Sequence, residues 1–423
     1  MPRMKFTTNA VLGTVVAMSL VFSTLGVAAA HTVRQAKGTL VICDFFPSSP
    51  ANTPERVAEL KAATAWGAKN GYAVQEPVPP SAGCNGQLTA GAKAGKAADI
   101  NLMPDDQEGT MWGDKLIAPI SLKTSDYVKS GINGVTNNGK IFGVPWALET
   151  MMIYYNPKLV PASVFKNATW DSLAKWSAAF AKSHSGDYGL AWQWDNFYYS
   201  YTFLTGYGGG IFGRNSKGYD KSKVLLDSAG SIKGLEYLKH IIDESGTPVN
   251  AFLGNSGNSN YPALFQQGRL AMVFDGPWSD QQWRTAHISY GVAAPPKFPS
   301  GKYGYPFLGV QTLVVNKYSA HLKAAESLAV YLSQHAAVDL FNASGRIPAY
   351  KPALKQVANN REVKQYEQAF KHTQAMPNIP EMDSYVWTPA GAAFTSYFTG
   401  KETADAALKT AAAAIRKSIA SNG

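Results

Sequence analysis

The chain has 423 residues, a formal net charge of +10 and a charged fraction of only 16%. This length is enough for two domains with substantial cores. No basic stripe occurs along the sequence, which argues against a nucleic-acid-binding protein, and we interpret the positive charge as weak attraction to an anionic cell envelope.

The first thirty residues are predicted to be a secretory signal peptide. Arg3 and Lys5 precede an apolar run over residues 11–29, and the alanines at 28–30 fit a small-residue cleavage site. An uncleaved membrane anchor is the alternative, because about 19 apolar residues can just span a bilayer. Either way we expect an exported protein, located in the periplasm or at the outer face of the cell membrane.

The two cysteines, Cys43 and Cys84, lie in the exported part of the chain. An even number of cysteines in an oxidising compartment favours a disulfide between them, and two buried free thiols are the alternative. Two sulfurs with no histidine nearby in sequence make a poor metal site, so we predict no metal there.

Residues 39–103 alternate between strand and helix patterns. Strands are predicted at 39–45, 72–78 and 98–103, with helices at 54–70 and 85–95 between them. This alternation predicts an α/β fold with parallel βαβ units and helices on both faces of the sheet.

Ligands of such open sheets bind beyond the carboxyl ends of the strands. Asp44, followed by Phe45 and Phe46, lies at one predicted strand end, and Asp105 and Asp106 lie at another. For the two neighbouring aspartates, a helix N-cap in a solvated turn is an equally simple interpretation. Glycosidase chemistry needs two carboxyl groups held across a sugar, which neighbours on one loop do not indicate.

Residues 141–156 form an apolar, β-branched and aromatic run that predicts a buried strand. Glu149 lies in the middle of this run, where a charge is costly unless it is paired or hydrogen-bonded. One interpretation is an edge carboxylate paired with a lysine. The other is a strand that crosses between two lobes, with Glu149 facing a wet cleft and a ligand.

Aromatic residues are concentrated in residues 190–201, around Asp195 and Asn196. Rings beside short polar side chains form either a packed core or a sugar pocket, because a pyranose offers a C–H face to a ring and hydroxyls at its edge. The sequence leaves both interpretations open for these aromatic residues: Trp192, Trp194, Phe197, Tyr198 and Tyr199.

Further helices and strands are predicted in the rest of the chain. Helices are predicted at 170–184, 226–244, 322–333, 336–342 and 403–421, and strands at 270–274 and 303–316. A turn at 275–278 is expected to hold Trp278 rigidly.

The chain contains neither a phosphate loop nor H-E-x-x-H nor G-x-S-x-G, and its G-x-G-x-x-G match at 208–213 has no preceding strand, so no cofactor is predicted.

Five segments, in this order, resemble the maltose/maltodextrin-binding proteins of ABC sugar importers, which are extracellular solute-binding proteins of family 1. The segments are Gly143-Val144-Pro145 with Glu149, Tyr155 and Asn156, then residues 201–212, 271–278, 305–311 and 375–382. The resemblance runs from about residue 39 to 419, and it implies a two-lobed type II periplasmic-binding-protein fold with a hinge of crossing strands and a ligand cleft between the lobes.

The resemblance also implies where the lobes meet. The chain would cross near 148–151, 308–312 and 345–353. The N-terminal lobe would hold residues 38–148 and 312–347, and the C-terminal lobe 149–311 and 348–423.

Several site residues follow from the resemblance, position by position. Glu149 and Asp106 match acidic residues that hydrogen-bond sugar hydroxyls, Trp278 and Trp387 match stacking tryptophans, and Tyr198 matches an aromatic residue of the second lobe. Three candidate positions depart from the pattern of well-known members, which leaves the preferred sugar open: Met103 replaces a tryptophan, Gln107 an arginine and Asn196 a glutamate.

We therefore expect a non-enzymatic, monomeric protein that binds maltose, maltodextrin or a related oligosaccharide. Its partners would be an ABC permease and its ATPase subunits. The alternatives are a secreted glycoside hydrolase and a cell-surface carbohydrate-binding protein.

Overall fold

Strands and helices alternate over residues 39–113 and follow a less regular order in the rest of the described chain. The computed structural model describes residues 37–44, 53–77, 83–215, 218–254 and 260–422. The predicted signal peptide, together with Phe45 and Phe46, lies outside these ranges. Within them, no helix has the length and apolar character needed to cross a membrane.

The strands are short, and most are buried. In chain order they are β1 (Thr39–Cys43), β2 (Ala73–Gln75), β3 (Ile100–Pro104), β4 (Thr136–Asn137), β5 (Lys140–Ile141), β6 (Gly143–Glu149), β7 (Met152–Tyr155), β8 (Tyr188–Ala191), β9 (Phe212–Asn215), β10 (Gly218–Val224), β11 (Leu270–Asp275), β12 (Gly291–Ala293), β13 (Phe307–Val315), β14 (Ile347–Pro348) and β15 (Gln374–Ala375).

The α-helices include one close to each predicted position and others that were not predicted. They are α1 (Pro54–Asn70), α2 (Gly83–Gly91), α3 (Asp105–Gly113), α4 (Lys129–Gly134), α5 (Trp170–Ser183), α6 (Phe197–Gly206), α7 (Ala229–Glu244), α8 (Tyr261–Gln266), α9 (Pro277–Thr285), α10 (Leu322–His335), α11 (Ala337–Ser344), α12 (Lys351–Val357), α13 (Arg361–Ala369), α14 (Pro380–Tyr385), α15 (Trp387–Phe398) and α16 (Ala404–Asn422).

Local sequence explains where several helices begin and end. Thr53 caps α1 by accepting a hydrogen bond from the Arg56 backbone N–H, and Gly71 ends the helix at a φ of 78°, which glycine adopts without strain. Thr169 and Ser172 form a reciprocal capping box at the start of α5. These caps satisfy backbone groups that a helix end leaves without partners.

The larger sheet has seven strands in the order β14-β6-β13-β3-β1-β2, with β15 also paired to β13. β1 is parallel to both β2 and β3, as the βαβ pattern predicts, whereas β13 is antiparallel to β3 and β6. The smaller sheet has the order β12-β7-β11-β8.

The apolar run at 141–156 is not one strand, which corrects the prediction. It is divided mainly between β6 in the larger sheet and β7 in the smaller sheet, with residues 150–151 carrying the chain across. The Thr150 hydroxyl donates to the Phe307 carbonyl at 2.8 Å and fixes this crossing. Since both strands are buried on both faces, hydrophobic periodicity could not show where one sheet ends.

Two further predictions need correction. The turn expected at 275–278 is instead the start of α9, where Pro277 occupies the first helical turn that its fixed φ favours. The strand predicted at 72–78 is limited to the three residues of β2.

A disulfide joins Cys43, the last residue of β1, to Cys84 in α2. The two Cα atoms are 5.6 Å apart, and 41 positions separate the residues in sequence. The bond therefore links α2 to the C-terminal end of β1 in the larger sheet.

Candidate functional site

A cavity of about 500 Å³ opens where several strands of both sheets end. Asp106 follows β3, Glu149 ends β6, Trp278 follows β11, and Met376 follows β15. This is the location expected for a ligand site in an open α/β sheet. The cavity is lined by Pro104, Asp106, Gln107, Glu149, Asn196, Tyr198, Tyr199, Trp278, Gln311, Arg346, Met376 and Trp387.

Glu149 is buried, and each of its carboxylate oxygens contacts a polar side chain. Its Oε1 accepts a hydrogen bond of 2.7 Å from the Gln311 side chain, and its Oε2 forms an ion pair with Arg346. Arg346 also donates from Nε to Glu55 Oε1 at 2.9 Å. The carboxylate is therefore paired with an arginine and not with the lysine of the simpler interpretation, and it still lines the cavity.

Asp106 lies in the first turn of α3, and the Trp387 indole N–H donates to its Oδ2 at 2.8 Å. Trp387 begins α15, so this hydrogen bond joins two distant parts of the chain on one wall of the cavity. A carboxylate at the start of a helix also gains from the helix dipole.

A second part of the cavity lining is aromatic. The Trp278 indole N–H donates to the Tyr199 hydroxyl at 2.9 Å, and the two rings stack with centroids 5.6 Å apart. Gly276 allows this arrangement, because a Cβ at that position would lie 2.1 Å from the indole. Trp278 is thus held at a fixed angle beside the cavity.

Tyr198 contributes a buried hydroxyl that has no hydrogen-bond partner among the described residues. Burial, and then the nearby Glu149, raise the pKa of this phenol well above its usual value. The hydroxyl is therefore protonated at neutral pH and can donate to a ligand oxygen.

Asn196 lines the cavity from the start of α6, where its side chain accepts a hydrogen bond from the Tyr199 backbone N–H at 3.2 Å. Gln107 also lines the cavity and accepts a hydrogen bond from Asn85. Met103, the third departure from the family pattern, is buried and does not line it.

Two predicted site residues do not line this cavity. Asp105 is buried, and its Oδ1 accepts a hydrogen bond from the Val310 backbone N–H at 3.0 Å. Asp44 is also buried, near Glu59 and Glu76. Both aspartates follow strands as predicted, but their side chains point into the protein. The alternative interpretation of Asp105 and Asp106 as an N-cap in a solvated turn is wrong, since Pro104 occupies the N-cap position and both aspartates are buried.

Sequence reasoning missed four residues that line the cavity: Pro104, Gln311, Met376 and above all Arg346. Arg346 stands between Gly345 and the apolar residues 347–349, so a charge inside a buried segment was the available signal. The same signal identified Glu149.

The crowded aromatic residues of 190–201 divide between the two interpretations. Trp192 and Trp194 are fully buried core residues, whereas Tyr198 and Tyr199 line the cavity.

A larger cavity of about 680 Å³ lies elsewhere, lined by residues that include Tyr155, Phe165, Tyr290 and Glu362. It contains none of the predicted site residues. We place the candidate site in the smaller cavity, where carboxylates, an arginine and aromatic rings converge.

Asp106 gives the site a pH dependence that can be measured. Burial first, and then the nearby Asp383, raise the pKa of Asp106 from 3.8 to about 7, although the hydrogen bond from Trp387 lowers it. A raised carboxyl pKa in the folded state stabilises the protein at low pH, and this contribution is lost as the pH rises from about 4 through 7.

We therefore expect Asp106→Asn to become more stable relative to the wild type as the pH increases from 4 to 8. Urea unfolding at pH 4, 5.5, 7 and 8 measures the difference. Asp405→Asn, which alters an exposed pair with Lys409, is the control and should differ little from the wild type in stability, because exposed pairs contribute little. If the stability difference between Asp106→Asn and the wild type does not change with pH, the raised pKa of Asp106 is contradicted.

The arrangement of two sheets, with a polar and aromatic cavity at the ends of their strands, is that of a ligand-binding protein with the periplasmic-binding-protein fold. A family model for bacterial extracellular solute-binding proteins matches residues 61–371. The chain belongs to this family of extracellular proteins, which agrees with the exported location predicted from the sequence.

Known relatives are similar over most of their length. A maltooligosaccharide ABC transporter solute-binding lipoprotein of Streptococcus pneumoniae is 31% identical over 79% of this chain and 79% of its own. A galactooligosaccharide-binding protein of Bacillus subtilis is 30% identical over 75% and 76%. The structure of a Thermus thermophilus maltotriose-binding protein with maltotriose aligns with a TM-score of 0.78 and 26% identity, covering 90% of this chain and 100% of that one.

Proposed function

We propose that this protein binds a maltodextrin or a closely related oligosaccharide in the cavity and delivers it to the permease of an ABC importer. The observation that carries the proposal is the composition of the cavity wall. Trp278 and Trp387 offer rings to the apolar faces of pyranoses, and Asp106, Glu149 and Tyr198 offer groups for hydroxyls.

The relatives support this class of ligand. The Streptococcus pneumoniae and Thermus thermophilus proteins are named for maltooligosaccharide and maltotriose, and the Bacillus subtilis protein for galactooligosaccharide. Both kinds of ligand are short chains of pyranoses, so a panel of sugars is needed to rank them.

A binding role is favoured over hydrolysis by the contacts of the two cavity carboxylates. Glu149 is held by Arg346 and Gln311, so it is not placed as a free acid or nucleophile. Asp106 alone does not supply the two carboxyl groups that a glycosidase needs. We propose that the protein is monomeric and not an enzyme, and that the ATPase subunits of the importer hydrolyse ATP.

We further propose the two lobes implied by the sequence, 38–148 with 312–347 and 149–311 with 348–423. Asp106 would then belong to the first lobe, and Tyr198, Trp278 and Trp387 to the second. A sugar that contacts both lobes stabilises the closed form more than the open form, so binding would shift the population toward closure.

Titration calorimetry with maltose, maltotriose, maltotetraose and a galactooligosaccharide tests the proposal. We expect saturable one-to-one binding of at least one of the maltodextrins and no glucose release after prolonged incubation with maltotriose. Sustained glucose release would instead support the glycoside hydrolase. Affinity for an insoluble cell-wall polymer without binding of any soluble sugar would support the cell-surface protein.

A further inference from the structure

Three carboxylates from different parts of the chain meet inside the protein, outside the lining of the sugar cavity. Asp44 follows β1, Glu59 lies on α1, and Glu76 follows β2. One oxygen from each lies within 4.8 Å of the other two. Asp44 and Glu59 are 1% and 0% exposed, and the Glu76 side chain is fully buried. Like charges this close in a buried site repel strongly unless something balances them.

Glu59 is the member of this cluster that points to a ligand. Neither of its carboxylate oxygens has a hydrogen-bond partner among the described residues. A buried carboxylate without partners is costly when charged, and a protonated carboxyl would still need an acceptor for its proton. Glu59 therefore places one oxygen in the cluster, and no described protein group forms a hydrogen bond with either of its oxygens.

Among the described residues, the positive charge around the cluster is too small to balance it. Arg56 pairs with Glu76 at 2.5 Å, while Arg346 is already shared between Glu55 and Glu149. Two arginines thus face five buried carboxylates, namely Asp44, Glu55, Glu59, Glu76 and Glu149. The group carries a formal charge of −3 when all of them are ionised, and a divalent cation would reduce it to −1.

We propose that Asp44, Glu59 and Glu76 bind a hard divalent cation of the Ca²⁺ type. Oxygens that share one Ca²⁺ at about 2.3–2.6 Å lie up to about 5 Å apart. The 4.8 Å limit of the cluster fits this spacing. Ca²⁺ also accepts carboxylate ligands in irregular geometry, which suits groups supplied by two strand ends and a helix. The ion would link β1, α1 and β2 at one edge of the larger sheet.

The electrostatics agree with a cation site. Burial raises the pKa of Glu59 well above its usual value, Asp44, Glu76 and Glu55 raise it further, and Arg56 opposes them. Burial also raises the pKa of Glu76 to about 7, against a lowering by Arg56. Because the cation requires the ionised forms, its binding should release protons and be tighter at pH 8 than at pH 6.

Calcium titration of the purified, EDTA-treated protein tests the site without reference to sugar binding. We expect one-to-one binding of CaCl₂ by calorimetry, and an increase in Tm of about 5 °C at 100 times the dissociation constant. Glu59→Gln should lose both responses, while Glu367→Gln, the same change at an exposed position, should keep both.

The site is refuted if millimolar CaCl₂ gives neither binding heat nor a Tm shift in the wild type. An equal response in wild type and Glu59→Gln would also refute it, since the ion would then bind elsewhere. An equal response to MgCl₂ that disappears in Glu59→Gln would support a divalent-cation site of low selectivity. If Glu59→Gln does not fold, Asp44→Asn replaces it in the same comparison.

Discussion

Replacing Arg346 with methionine should lower the free energy of unfolding by about 3–5 kcal/mol, because the change leaves buried carboxylates without their positive partner. Arg346 is 2% exposed and forms ion pairs with both Glu55 and Glu149. Methionine fills a similar volume, so the loss reflects the missing charge more than a cavity. Urea unfolding at pH 7.5 measures the difference.

Arg269→Met is the matched control, since Arg269 pairs with Asp187 at a site where both side chains contact solvent. Exposed pairs are worth about 0–1 kcal/mol, so the control should change stability little. If the Arg346→Met protein were as stable as this control, the ion pairs of Arg346 with Glu55 and Glu149 would not stabilise the folded protein.

Replacing Trp278 with alanine should weaken maltotriose binding by about 30- to 700-fold, which corresponds to about 2–4 kcal/mol for the loss of an aromatic hot spot. Stacking on Tyr199 and the hydrogen bond to its hydroxyl hold the Trp278 ring in place before any ligand arrives. Little side-chain entropy is then lost on binding. Titration calorimetry with maltotriose measures the change in Kd.

Trp176→Ala is the control for this experiment. Trp176 packs against the core from α5, stacks on Phe180 at 5.3 Å and does not line the cavity. We expect a lower Tm and a nearly unchanged Kd for the folded variant. Normal binding by Trp278→Ala, together with failed binding by a folded Trp176→Ala, would place the sugar site elsewhere.

The sequence predicts the βαβ order of the first hundred residues well, because caps and alternating patterns are local. The helix predicted at 54–70 is α1, which Thr53 and Gly71 bound. The division of residues 141–156 between two sheets was not predictable, since pairing with β13 in one sheet and β11 in the other is set by distant residues.

For the candidate site residues as well, local sequence identifies some features, and distant residues determine the others. A charge in an apolar run identifies Glu149 from local sequence, but its partners Arg346 and Gln311 come from positions 197 and 162 residues away. Asp44 and Asp105 show that a residue's position along the chain does not predict the direction of its side chain. A strand end indicates that a residue is near the cavity edge, but the direction of its side chain depends on neighbours such as Val310, which belong to other elements.

A crystal structure of the protein with maltotriose tests the central claim most directly. The account predicts the sugar in the cavity lined by Asp106, Glu149, Trp278 and Trp387, with a pyranose ring against Trp278 and hydroxyls within hydrogen-bond distance of the two carboxylates. Maltotriose bound at another surface, with these four side chains free of sugar contacts, would contradict it.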